Sequence, residues 1–139
     1  MKYSMLWLTV LLLNGCDSNV TRSDITSAYG LFVTTDKTSY MRNEKTVITI
    51  VNNSDQTAVF ERSQSDIFYY RDRWVENQWV QWTSLFYSDS LEKLILKPHT
   101  SISDSIVVHK PGDYRFRYPM YLEGENTPDT ISSNSFTIY

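Results

Sequence analysis

The sequence predicts an all-β fold, an antiparallel sandwich of about seven to nine strands held together without a disulfide. Three observations predict it. Beyond Ser27, apolar and polar residues alternate with a period of two, and no segment repeats with the 3.6-residue period of a helix. Turn-forming residues at Thr35-Asp36, Asn52 to Asp55, Pro98 and Pro111-Gly112 interrupt the alternation at the spacing of short sandwich strands. Cys16 is the only cysteine, so the core must hold by packing alone.

Taken from the N-terminus, residues 1–15 have the layout of an export signal. Lys2 supplies a positive start, Met5 to Leu13 an apolar stretch, and Asn14-Gly15 a small exit. That stretch falls well short of the ~20 residues a membrane-spanning helix needs. Leu13-Asn14-Gly15-Cys16 resembles the bacterial lipobox: an aliphatic residue, a small residue just before the cysteine, then the cysteine itself. Asn14 stands where that motif more often has Ala or Ser. The resemblance to bacterial lipoproteins implies cleavage before Cys16, a diacylglycerol on its sulfur and a membrane as first partner. Two or three acyl chains at ~0.8 kcal/mol per buried CH₂ hold a protein stably, where one is marginal. The plainer alternative is an ordinary cleaved signal with a cysteine nearby. Residues 16–27 are polar and aperiodic, the composition of a flexible tether. Asp17 resembles an inner-membrane retention signal that only some bacterial groups use, so the choice of membrane stays open.

Residues 28–139 are expected to form the domain. In residues 46–51 every side chain is β-branched, which predicts a strand covered on both sides. Residues 67–74 and 79–86 are aromatic on both faces and joined by Val-Glu-Asn-Gln, a hairpin turn. Residues 91–96 predict a further short strand. Ile102, Ile106 and Val108 share one face, with Ser103, Ser105 and His109 opposite. The clearest alternation runs from Asp113 to Met120, with Tyr114, Phe116, Tyr118 and Met120 inward and Arg115 and Arg117 outward. Phe136 and Ile138 alternate in the last strand.

Lys110-Pro111-Gly112-Asp113-Tyr114-Arg115-Phe116 places a Tyr just after a tight turn, two residues ahead of an inward apolar residue. This resembles the tyrosine corner of immunoglobulin-like sandwiches. That resemblance puts Phe116 in the place of the second sandwich cysteine and Ile50 or Val51 in that of the first, with Trp74, Trp79 or Trp82 packed between them. Residues 33–40, 46–55, Trp79-Val80, Leu96-Lys97-Pro98 and 133–138 extend the likeness to bacterial immunoglobulin-like domains of small lipoproteins. Asn43 and His99 stand where those domains often have Gly.

The chain carries 13 Lys+Arg against 16 Asp+Glu, a formal charge of −3 that becomes −4 once Lys2 leaves with residues 1–15. Nucleic acid needs clustered cations, and the densest basic group is only Arg71, Arg73 and nearby Arg62, so nucleic acid is not an expected partner. No catalytic residue is assigned: His99 and His109 are the only histidines, and no Gly-x-Ser-x-Gly elbow accompanies them. No metal or cofactor is expected, since the carboxylates of Glu123-Gly124-Glu125 and Asp129 lack a calcium-loop register.

The aromatic stretch is the one feature with functional content. Tyr70, Trp74, Trp79 and Trp82 are the candidate binding residues, because strand alternation cannot bury all of them. The competing explanation is cross-strand aromatic pairing that only stabilises the hairpin. The expectation is therefore a lipid-anchored, non-enzymatic binding or scaffolding module of the bacterial cell envelope, contacting another envelope protein. One alternative is a proteinase inhibitor, because residues 60–69, 80–83 and 94–98 are similar to the Bacillus-type intracellular proteinase inhibitor domain. A second is a carbohydrate-binding module, which needs a coplanar exposed pair of rings.

Overall fold

The structure, a computed structural model, describes residues 27–63, 66–84 and 91–139. Among them are twelve strands and no helix. The strands are β1 Leu31–Thr35, β2 Ser39–Tyr40, β3 Lys45–Asn52, β4 Ala58–Ser63, β5 Asp66–Ile67 and β6 Tyr70–Val75. They continue as β7 Gln78–Ser84, β8 Glu92–Leu96, β9 Thr100–Val107, β10 Gly112–Leu122, β11 Asp129–Ser132 and β12 Phe136–Ile138. The count exceeds seven to nine because the short strands β2, β5 and β11, of two, two and four residues, add to the longer ones.

One sheet has three antiparallel strands in the order β1-β3-β9. The other is organised around β10, whose eleven residues give every neighbour a place. One edge of β10 pairs with β12 near Gly112 and with β11 near Arg117, while the other pairs with β6 and then β4. β7 extends this sheet from β6, β5 and β8 pair with β4, and β2 runs parallel to β12. The fold is the expected all-β antiparallel sandwich.

Its core is a contact line of rings and aliphatics. Tyr114, Phe116, Tyr118, Met120 and Leu122 on β10 are all buried, as the alternation requires. Phe116 lies 5.0 Å from Phe136, which meets Tyr40 edge-on at 5.6 Å. Such ring pairs add about 0.5–1.5 kcal/mol each beyond the area they bury. The tyrosine corner is present: the Tyr114 hydroxyl donates to the Lys110 carbonyl at 3.0 Å.

Three sequence expectations need correction. β3 is covered on one side only: Thr46, Ile48, Ile50 and Asn52 are buried, while Val47 is 36% exposed. Its β-branched run reflects strand preference on a half-buried surface. Ile50, not Val51, therefore points inward. Trp74, Trp79 and Trp82 make no ring contact with Phe116 among the described residues; Tyr69 does so, edge-on at 5.3 Å and 6% exposed. The reason is that the expected strand over residues 67–74 breaks at Phe68-Tyr69, which lets Tyr69 turn inward between β5 and β6.

Candidate functional site

Cys16, the signal over residues 1–15 and nearly all of the tether lie outside the described residues, as do Phe86 and Tyr87 of the aromatic stretch. Tyr70, Trp74, Trp79 and Trp82 are all described, and they do not form one patch. The β6–β7 pairing explains why. Trp74 is directly opposite Trp79, so these two point the same way, with Tyr70 and Asp72 on the same side at period two. Between Arg71 and Asp72 the register shifts by a β-bulge that leaves Trp82 as the extra residue of β7. Trp82 thereby joins Arg73, on the opposite side of the hairpin.

The first side is a closed structure. Trp74 and Trp79 meet edge-on with centroids 5.0 Å apart and planes at 69°, and both are half-buried. Beside them Asp72 is only 2% exposed on the outward side of the sheet. Arg117 grips it through Nε at 2.7 Å and Nη2 at 2.9 Å, and Arg115 Nε adds a bond of 3.0 Å. The Arg115 guanidinium lies 4.7 Å from the Trp79 ring centroid, and that of Arg117 lies 5.1 Å from Tyr70. Charge pairing and ring contacts thus use up Tyr70, Trp74 and Trp79 in stabilising the hairpin.

The second side is open. Trp82 is 42% exposed. The Arg73 guanidinium sits 4.9 Å from its ring centroid and the Lys110 ammonium 5.4 Å. Arg73 also lies 5.9 Å from the Tyr114 ring, with Arg71 beside it at 5.8 Å. The Tyr114 ring belongs to the sandwich interior, and the Arg71 and Arg73 guanidinium groups both lie against it. Arg73 is fixed by a 2.9 Å bond from Nη2 to the Pro111 carbonyl and lies close against Gly112. A Cβ on Gly112, whose φ is +145°, would stand 2.8 Å from Arg73 Nε, so glycine is what lets the guanidinium settle there. Trp82, Arg71, Arg73 and Lys110 form an aromatic and cationic surface around the start of β10.

By composition Arg71 and Arg73 are only too few cations for nucleic acid. Their spacing of two carried more, since it puts both on one side of a strand. Lys110 had no local signal; only the tyrosine corner brings the turn before β10 against β7.

The remaining polar candidates sit elsewhere. His99 pairs with Asp55 at 3.0 Å and His109 Nδ1 lies 2.8 Å from Asn43 Oδ1, both histidines being exposed. Glu123, Gly124 and Glu125 help line a groove of about 470 Å³ over Val59, Ile95 and Tyr121 at the far end of β10. Among the described residues no three His, Cys, Asp or Glu side chains gather as a metal site would need. No helix among them is long and apolar enough to cross a membrane. The chain matches no protein-family model and no curated protein.

Proposed function

We propose that this chain is a lipid-anchored, non-enzymatic binding module of a bacterial cell envelope, which contacts another envelope protein through the open side of the β6–β7 hairpin. The observation that carries the reading is the placement of Trp82. A large aromatic ring 42% exposed on a bulged strand, flanked by Arg73 and Lys110, has the composition of an interface hot spot. A bulge interrupts the β6–β7 ladder at that point and leaves Trp82 as the extra residue. The lipobox-like Leu13-Asn14-Gly15-Cys16 supports the anchor and hence the location.

Two of the competing readings lose support in the geometry. Sugar stacking needs two rings in one exposed plane, whereas Trp74 and Trp79 meet at 69° and are half-buried. Among the described residues of the inhibitor-like segments, 60–63, 66–67, 80–83 and 94–96 are strand, and only 68–69 and 97–98 are not. Protease inhibition needs a rigid extended loop that reaches into a cleft.

Two measurements test the proposal. A photo-crosslinking amino acid replacing Trp82 in cells is expected to give a discrete protein adduct, with none from the same group at exposed Val47 on the other sheet. No adduct at 82, or equal adducts at both, overturns the contact surface. Radioactive palmitate is expected to label wild type and not Cys16→Ala; equal labelling overturns the anchor.

A further inference from the structure

We infer that Trp82, Arg71, Arg73 and Lys110 form a docking site for an acidic segment of the partner protein. The inference rests on the hairpin reading above and adds the partner's chemistry.

The first argument is charge placement. The protein is acidic overall, with 16 Asp+Glu against 13 Lys+Arg. Several of its cations have carboxylate partners: Arg115 and Arg117 on Asp72, Lys37 on Glu44, Arg62 on Glu92. Among the described residues, Arg71, Arg73 and Lys110 have none, although they converge on the two rings of Trp82 and Tyr114. Three uncompensated cations on an acidic surface form a local potential well for carboxylates.

The second argument is unused hydrogen-bonding capacity. Arg71 Nε has no partner but is buried from solvent, so Arg71 adds charge to the site and no Nε bond to an incoming carboxylate. Arg73 spends one bond on the Pro111 carbonyl, which leaves donors of its planar fork for a carboxylate. The Arg73 fork is held in position by Gly112 and Pro111 before any ligand arrives, so little order has to be imposed on binding.

The third argument selects the class of ligand. A sugar face would have to displace a cation from the Trp82 ring, where Arg73 and Lys110 already stand 4.9 and 5.4 Å from the centroid. Anionic lipid surfaces are typically held by about four to eight clustered cations, more than the three here. A peptide that offers two carboxylates and an apolar side chain satisfies the cations and the exposed indole together.

The test uses the full chain in detergent and a fluorescent capped peptide of alternating Glu and Tyr, with a Lys/Tyr peptide as control. Wild type is expected to bind the Glu peptide alone, more weakly as salt rises. Arg73→Gln/Lys110→Gln is expected to bind it about tenfold less tightly or worse, a loss of ~1.4 kcal/mol. Lys110→Glu changes an exposed residue, so its thermal melt should match wild type while Glu-peptide affinity falls. Equal binding of both peptides, indifference to Lys110→Glu, or displacement by free glycerol phosphate as effective as by unlabelled peptide would each overturn the inference. If position 82 still crosslinks a partner while Lys110→Glu has no effect, only the acidic-segment inference fails; if position 82 gives no adduct, the hairpin reading fails first.

Discussion

At the scale of single residues, Asp72 shows how an outward-facing carboxylate comes to be 2% exposed: two arginines and two rings close over it. Its four oxygen lone-pair directions receive three charge-assisted bonds, from Arg115 and from both ends of Arg117. Removing the acid leaves two guanidinium groups facing each other under Trp79 and Tyr70. Asp72→Ala is expected to cost about 3 kcal/mol, read as a lower urea midpoint with an unchanged slope. A loss below about 0.5 kcal/mol, the usual range for an ordinary surface position, would mean that solvent and not Asp72 compensates the arginines. The tyrosine corner makes a smaller claim. Tyr114→Phe deletes one bond to the Lys110 carbonyl and keeps the buried ring, so about 1 kcal/mol of stability should be lost. Lys110 then moves with its turn, and Glu-peptide binding should weaken along with stability. Tyr114 could be picked out from sequence because a turn, a Tyr and an inward Phe stand in fixed order. The Asp72 cluster could not, because it depends on which strand lies beside β10.

At the scale of elements, local chemistry decided the turns and long-range pairing decided the strands. Glu76 and Asn77 both have positive φ, 49° and 63°, the two-residue turn that the Val-Glu-Asn-Gln stretch implied. Asn43 and His99 also have positive φ, 67° and 56°, so two further bends enter the left-handed region with side chains attached. Each non-Gly residue there carries strain that Gly would not. Changing the hairpin turn to Glu76→Asn/Asn77→Gly is expected to stabilise the domain by roughly 0.5–1 kcal/mol and raise its melting temperature by a few degrees. An unchanged or lower melting temperature would show that the hairpin register is set by the Trp74–Trp79 pair and not by the turn. The break between β5 and β6 was illegible because residues 67–74 have no Gly or Pro to mark it. The chain leaves its direction there because Tyr69 gains burial against Phe116 and Tyr118. The same holds for Trp82: its bulge has no residue signature, and only the shifted register exposes the ring.

At the scale of the whole molecule, the sandwich is closed by packing between β10 and the β1-β3-β9 sheet, and a polar seam runs through it. Asp104 of β9 stands opposite Ile48, on the inward side, at a position where alternation calls for an apolar residue. Its Oδ2 is buried without a partner, as is the Tyr118 hydroxyl on β10. Burial raises the Asp104 carboxyl above its ordinary value, and burial, with Asp104 and Tyr69 nearby, pushes the Tyr118 phenol well up. Alternation therefore gave the sandwich and its inward faces, whereas the one charge facing inward between Ile102 and Ile106 obeys no pattern. The pH consequence has a definite sign. A carboxyl with a raised folded-state pKa binds its proton more tightly when folded, so ionising it costs stability at neutral pH. That cost disappears as pH falls through the folded value towards about 3.8, the unfolded one. Asp36, lowered chiefly by the Tyr40 hydroxyl, and Glu44, lowered chiefly by Lys37, act the opposite way. Their contributions are present above their unfolded values and are lost as pH falls through the folded ones. Asp104→Asn keeps the bond from the Ser105 amide and removes the charge. It should melt higher than wild type at pH 7, and the gap should close as the pH is lowered past the folded pKa of Asp104, while acid lability from Asp36 and Glu44 persists in both proteins. Tyr118→Phe removes a buried hydroxyl that bonds to nothing, so it should be neutral or stabilising at every pH. If Asp104→Asn instead melts lower at pH 7 and the deficit shrinks in acid, the carboxylate is stabilised by its surroundings, and the seam is a bonded network in place of an unpaired one.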